Sequence, residues 1–130
     1  MESILIVDDE PDICWALENI LKEKGVVSQK TLSGRGALKL IESDSFQLAL
    51  VDVKLPDMEG IEVARQIREV APAIRIVMIS GYSRREDAYI QRALVEGLIC
   101  GFIAKPFLND EILKALEFAR SADPPSHKVM

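Results

Sequence analysis

The sequence predicts an α/β fold: a doubly wound, five-stranded parallel sheet with helices on both faces. Three observations predict it. Five short strand-like runs, Ile4 to Val7, Val26 to Leu32, Leu48 to Val51, Ile74 to Ile79 and Cys100 to Ala104, alternate with five stretches of helical periodicity. Such alternation means a parallel sheet built with right-handed crossovers. Ile4 to Val7 and Leu48 to Val51 carry no charge, as expected of strands buried on both faces. Four of the runs end on polar groups: Asp8 and Asp9, Asp52, Ser80 and Lys105. In an open α/β sheet, ligands bind outside the carboxyl ends of the strands.

Taken in order, Ile4 to Val7 is the first strand and leads into Asp8-Asp9-Glu10. Pro11 suits the first turn of a helix, where Ile13, Leu17, Ile20 and Leu21 recur at helical spacing and Gly25 stops the pattern. Cys14 and Trp15 lie early in this helix and are expected to pack. Val26 to Leu32 is more polar, as a sheet edge requires. Ser33 is expected to cap a helix running through Ala37, Leu40 and Ile41. Gly34 and Gly36 do not amount to a phosphate-binding loop, because the strand-to-helix glycine fingerprint is absent.

The third strand delivers Asp52, and Pro56 to Gly60 forms the loop after it. Ile61, Ala64, Ile67 and Val70 mark a third helix that ends before Pro72. The fourth strand is interrupted by Arg75 and ends on Ser80-Gly81. A fourth helix is expected over Arg84 to Glu96, with an apolar stripe at Ala88, Ala93 and Leu94. The fifth strand ends on Lys105-Pro106. Asn109 is expected to cap a last helix through Ile112, Leu116 and Ala119. Asp123 to Met130, with Pro124-Pro125 and a solvated His127, reads as a loose tail.

At 130 residues the chain is expected to form one domain over 1–121, with 122–130 as a C-terminal tail or the start of a linker. A net charge of −5 argues against direct nucleic-acid binding, which needs a basic face. Cys14 and Cys100 are too few for a disulfide framework and lack metal-ligand spacing. No apolar run is long enough for a membrane span, and the four apolar residues before Asp8 make no signal peptide. These points predict a cytoplasmic protein with no membrane partner.

Asp8, Asp9 and Asp52 brought to one sheet edge repel one another. At about 4 Å and an effective dielectric near 20, each pair costs roughly 4 kcal/mol, so the arrangement calls for a cation. Oxygen ligands without His or Cys favour a hard ion, Mg2+ rather than Zn2+. Asp52 is then a candidate nucleophile for an aspartyl-phosphate. Lys105 and Ser80 are candidates for neutralising and hydrogen-bonding the transferred phosphoryl oxygens. Taken singly, Asp52 reads equally well as a turn residue, Lys105 as a surface ion pair and Ser80 as a helix cap; their convergence favours the chemical reading.

Val7-Asp8-Asp9-Glu10, Val51-Asp52-Val53 with Leu55-Pro56-Asp57-Met58-Glu59-Gly60, Ser80-Gly81-Tyr82 and Ala104-Lys105-Pro106-Phe107 resemble the receiver domain of two-component response regulators. The resemblance covers essentially residues 1 to 121. It implies the flavodoxin-like strand order 2-1-3-4-5 and a phosphorylation-activated signalling switch rather than a turnover enzyme. By the same resemblance Asp52 is the phosphoacceptor. Asp9, Asp52 and the backbone carbonyl of Lys54 ligate Mg2+, with Asp8 acting through water. Lys105 and Ser80 contact the phosphoryl group, Ser80 and Phe102 form the switch, and the Lys105–Pro106 bond is cis. The implied partners are a histidine kinase or phosphotransfer protein, and a second copy of the chain through the face made by the fourth helix, fifth strand and fifth helix.

Two features depart from the family pattern. Phe102 stands where Tyr is common, so a switch there rests on ring burial alone. The span from Ser80 to Lys105 is a few residues longer than usual, and the excess falls on the family's signalling face. Lys54 and Tyr82 stand beside the expected line of water attack on phosphorylated Asp52, which implies a long-lived aspartyl-phosphate. Among rival functions, a haloacid-dehalogenase-type aspartyl-phosphate phosphatase wants an Asp where Lys54 stands. A pseudo-receiver interaction module is expected to lack some of the acidic residues, and none is missing. A flavin-binding protein conflicts with three carboxylates facing a flavin phosphate.

Overall fold

The computed structural model describes residues 3–81 and 88–120. In chain order the elements are β1 (Ser3–Val7), α1 (Pro11–Lys22), β2 (Val27–Thr31), α2 (Gly34–Ser43), β3 (Leu48–Asp52), α3 (Gly60–Val70), β4 (Arg75–Ser80), α4 (Ala88–Val95), β5 (Gly101–Ala104) and α5 (Asn109–Ala119). All strand pairs are parallel and the sheet order is β2-β1-β3-β4-β5. The predicted fold class and order are both met. The expected tail at 122–130 with His127, the first part of the fourth helix and Tyr82 lie outside the described residues.

Strand side chains alternate between the two faces, and the core divides accordingly. Leu5, Val7, Ala49, Val51, Ile76 and Met78 pack on Ala37 and Ile41 of α2, Val63, Ala64 and Ile67 of α3, and Ile90 and Ala93 of α4. Ile4, Ile6, Leu48, Leu50, Val77 and Ile79 pack on Cys14, Leu17, Ile20 and Leu21 of α1 and on Ile112 and Leu116 of α5. The sheet is thus covered by α1 and α5 on one side and by α2, α3 and α4 on the other. β3 is buried along its whole length, whereas β2, at the edge, is polar and partly exposed.

Several local expectations are corrected. Trp15 does not pack: it is 67% exposed, while its neighbour Cys14 is fully buried. One residue turns a helix by about 100°, and α1 spends its inward face on Cys14, Leu17 and Leu21. Asn109 is not the cap of α5. The cap position is Leu108, whose backbone N–H donates to Glu111 Oε1 at 2.9 Å, so the carboxylate three residues on satisfies the first turn instead. In α4 the inward residues are Ile90 and Ala93, and Ala88 is exposed. Arg75 does not break β4. It starts that strand, is 5% exposed, and lays its guanidinium 4.6 Å from the centre of the Phe118 ring, a cation–π contact that covers the strand's start.

Ser33 caps α2 as expected, its side chain accepting from Gly36 N at 3.0 Å. A second cap comes from far along the chain: the Asp57 carboxylate accepts from Gly34 N and Arg35 N, both at 2.9 Å. These backbone donors hold the Asp57 carboxyl below the ordinary carboxylate range. They also tie the loop after β3 to the start of α2. A Cβ on Gly34 would lie 2.4 Å from Met58 Cγ, so Gly34 serves this close packing rather than a phosphate loop.

Gly60 fits α3 against the end of β3 even more tightly. A Cβ there would lie 2.1 Å from the Asp52 carbonyl oxygen and 2.9 Å from Val53 Cα, and the Gly60 N–H donates to the Val53 carbonyl at 2.7 Å. The obstructing atoms are backbone and cannot swing aside. Gly60→Ala is therefore expected to lower stability by about 1–3 kcal/mol, as overpacking does, read as a lower midpoint in urea unfolding. An unchanged midpoint would mean that the loop after β3 yields freely.

Candidate functional site

Parallel pairing aligns the ends of β1, β3, β4 and β5 at one edge. Val7 pairs with Val51, Asp52 with Ile79, and Ser80 with Ala104, so Asp8, Asp52, Ser80 and Lys105 emerge side by side. Carboxylate oxygens of Asp8, Asp9 and Asp52 lie within 4.8 Å of one another. Asp8 and Asp52 are buried and Asp9 faces solvent, so the cluster opens outward through Asp9.

Asp8 is oriented by its own loop, its Oδ1 accepting from Glu10 N at 2.9 Å. The Cys14 thiol donates to the Asp8 carbonyl at 3.3 Å and anchors the same turn to α1. Burial and nearby carboxylates push that thiol up to about 11, so Cys14 is an unreactive core group. Asp8 Oδ2 receives no hydrogen bond, although it lies 3.0 Å from Lys105 Nζ. The ammonium also lies 3.7 Å from Asp52 Oδ2 and 2.8 Å from Glu10 Oε1. Lys105 follows β5, its N–H donating to the Ser80 carbonyl at 3.0 Å, and the Lys105–Pro106 bond is cis.

Burial, then the neighbouring Asp8 charge, pushes the Asp52 carboxyl up to about 6, with Lys105 pulling part of the way back. Burial likewise raises Asp8. Burial pulls the Lys105 ammonium down, but the Glu10 and Asp8 carboxylates outweigh it, and its pKa stands above the ordinary lysine range. At neutral pH the site therefore holds Asp52 largely ionised and Lys105 charged, with the half-buried ammonium shared between the buried Asp8 and Asp52 and the exposed Glu10.

The residues fit a hard divalent cation. The donor set is all oxygen, and the Asp8 Oδ2 lone pairs are not met by any hydrogen bond. An ion of that kind supplies the positive charge the cluster lacks and draws on ligands of the type it prefers.

Ser80 is 1% exposed at the end of β4. Lys54 is exposed beyond β3, where its backbone pairs with that of Glu59 in an isolated antiparallel β-bridge. Phe102 lies opposite Met78 on β5 and is only 5% exposed, so its ring already lies inside. Glu10 and Asp57 stand in the motifs quoted above without a role of their own, and Arg68 stands in none of them. Arg68 donates to the carbonyls of Pro72 and Leu98 at 2.8 and 2.7 Å, and to that of Ile74 at 2.5 Å, which ties the segment after α4 to the start of β4. Of the three, Glu10 in the Asp-Asp-Glu run and Asp57 in the Leu-Pro-Asp turn carried a local signal, and Arg68 carried none.

The family profile described as response regulator receiver domain matches residues 4–117. The chain belongs to the response regulator receiver domain family. The receiver is 32% identical over 116 residues to sporulation initiation phosphotransferase F of Bacillus subtilis, covering 89% of this chain and 91% of that protein. It is 34% identical over 116 residues to the transcriptional regulatory protein ZraR of Escherichia coli, of which it spans 26%. Among solved structures it is similar to a receiver domain protein from Methanospirillum hungatei, with a TM-score of 0.83, 29% identity and coverage of 91% and 92% of the two chains. It is also similar to the response regulator TrrA from Thermotoga maritima in complex with Mg(2+)-BeF, with a TM-score of 0.80, 28% identity and coverage of 92% and 99%. Receivers are signalling switches that take phosphoryl groups from histidine kinases, not turnover enzymes. Among the described residues, no helix is long and apolar enough to cross a membrane.

Proposed function

We propose that this receiver is a cytoplasmic, Mg2+-dependent switch phosphorylated on Asp52 by a histidine kinase or phosphotransfer protein. The observation that carries this reading is the joint burial of Asp52 and Asp8 beside Lys105, with Asp9 opening the same cluster to solvent. Asp8, Asp9, Asp52 and the Lys54 carbonyl would hold Mg2+, which when bound neutralises developing charge on the phosphoryl oxygens.

The chain's own groups do the rest. An Asp52 carboxylate oxygen attacks phosphorus as the bond to the donor's leaving group breaks, and the leaving group departs with that electron pair. Lys105 offsets the negative charge on the transferred group, and the Ser80 hydroxyl donates to one of its oxygens. The reverse fate, attack by water on the aspartyl-phosphate, finds no general base among these residues. Lys54 offers only donors, which favours a long-lived phosphorylated state. The output surface is α4-β5-α5, in the chain's own use or against a second copy. Its switch runs through Ser80 and the buried Phe102, by a biased equilibrium between two packings. The phosphorylated unit is residues 1–121, with 122–130 leading out of it. Its net charge of −5 argues against nucleic-acid contact by this domain.

Incubation with acetyl phosphate is expected to add one phosphoryl group to the intact mass with Mg2+ present and none after chelation. Equal labelling in the two conditions would rule out the Mg2+-dependent reading. A pseudo-receiver would show no labelling at all.

A further inference from the structure

Glu10 is the acidic neighbour of Lys105 to which the proposed chemistry assigns no role. Its side chain is 57% exposed, yet its Oε1 makes the shortest carboxylate contact to Lys105, 2.8 Å against 3.0 Å for Asp8 and 3.7 Å for Asp52. That contact has hydrogen-bond geometry, whereas Asp8 Oδ2 receives no hydrogen bond. The Glu10 backbone acts separately: its N–H orients Asp8 through Oδ1, and its carbonyl accepts from Ile13 N and Cys14 N at the start of α1. The side chain makes no cap for that helix, so it is free to serve Lys105.

We propose that Glu10 is a positioning residue that holds the Lys105 ammonium back from Asp52, so that a divalent cation meets that carboxylate with less competition. The proposal deepens the Mg2+-dependent reading above and rests on it. An ammonium and a divalent cation seek the same carboxylate lone pairs. Lys105 carries three donors on a flexible stem, and without Glu10 the carboxylates that hold it in this site are Asp8 and Asp52. The ammonium then settles closer to Asp52, closing the 3.7 Å gap, and an incoming cation must displace it. Glu10 thus holds Lys105 between itself and Asp8, 3.7 Å from Asp52.

The test is a calorimetric titration of Mg2+ into four proteins: wild type, Glu10→Gln, Lys105→Met and the double variant. Gln keeps the side-chain length and the backbone hydrogen bonds and removes the charge. Glu10→Gln is expected to raise the Mg2+ Kd about two- to fivefold, the scale of a solvent-exposed ion pair. In the Lys105→Met background the same change is expected to have no effect, because the residue through which Glu10 acts is gone; the cycle isolates that coupling. A loss of equal size in both backgrounds overturns the proposal in favour of simple long-range attraction between Glu10 and the cation. No loss in the wild-type background overturns it as well, while leaving the Mg2+ reading intact. A wild type that does not bind Mg2+ overturns both. If Glu10→Gln does not fold, Glu10→Asp takes its place: it keeps the charge and shortens the reach. Weaker Mg2+ binding there supports positioning, and unchanged binding rejects it.

Discussion

Asp52→Asn is expected to abolish phosphorylation by acetyl phosphate and, without metal, to make the protein more stable at neutral pH. The loss follows because the amide is no nucleophile for phosphorus. The gain in stability follows from the site's electrostatics. Asp52 is 6% exposed beside Asp8, and its carboxyl is raised from 3.8 to about 6. A carboxyl raised on folding penalises the ionised native state. The penalty is absent below the unfolded value, grows between about 4 and 6, and is complete above about 6. Its ceiling is about 3 kcal/mol, reduced in the variant because Lys105 loses one anionic neighbour. The metal-free wild type is therefore expected to lose stability as pH rises from 4 to 7, and Asp52→Asn to lose less. Intact mass and urea unfolding at the two pH values check both halves. A phosphoryl label that persists in Asp52→Asn would move the acceptor elsewhere, and identical pH slopes would mean that the Asp52 charge is already compensated by Lys105.

Mg2+ is expected to raise the melting temperature of the wild type at pH 7.5 by roughly 10 °C when present at 100 times its Kd. That corresponds to about 2.7 kcal/mol of linkage. The cause is the same crowding of Asp8, Asp9 and Asp52, relieved by a cation that binds only the folded cluster. Protons compete for the same oxygens, so the rise is expected to be full above about pH 6 and to shrink as pH falls through the raised range of Asp52. Melting curves against Mg2+ at pH 5 and 7.5 test this. Because Asp9 is the solvent-facing member of the cluster, Asp9→Ala is expected to lose most of the response without disturbing the core. An equal rise in Asp9→Ala would place the stabilising ion elsewhere on the protein.

Much of this molecule was legible in its amino-acid order. A strand buried on both faces has to be apolar throughout, and β3 is. A helix lying on a sheet has to repeat its apolar residues every three or four positions, as Leu17, Ile20 and Leu21 do. Once strands and helices alternate, parallel topology puts every strand's carboxyl end at one edge, so Asp8, Asp9, Asp52, Ser80 and Lys105 converge before any coordinate is known. What local pattern could not decide was which neighbour a side chain takes when the rival lies far off in the chain. Trp15 faces solvent because α1 turns its Cys14 and Leu17 face to the sheet. Asp57 caps α2 across 23 positions and Glu10 holds Lys105 across 95. Those pairings exist only because the crossovers bring separate loops to one edge of the sheet. Periodicity reports which face of an element is buried; the packed fold alone decides which charges share that edge and which of them Lys105 meets first.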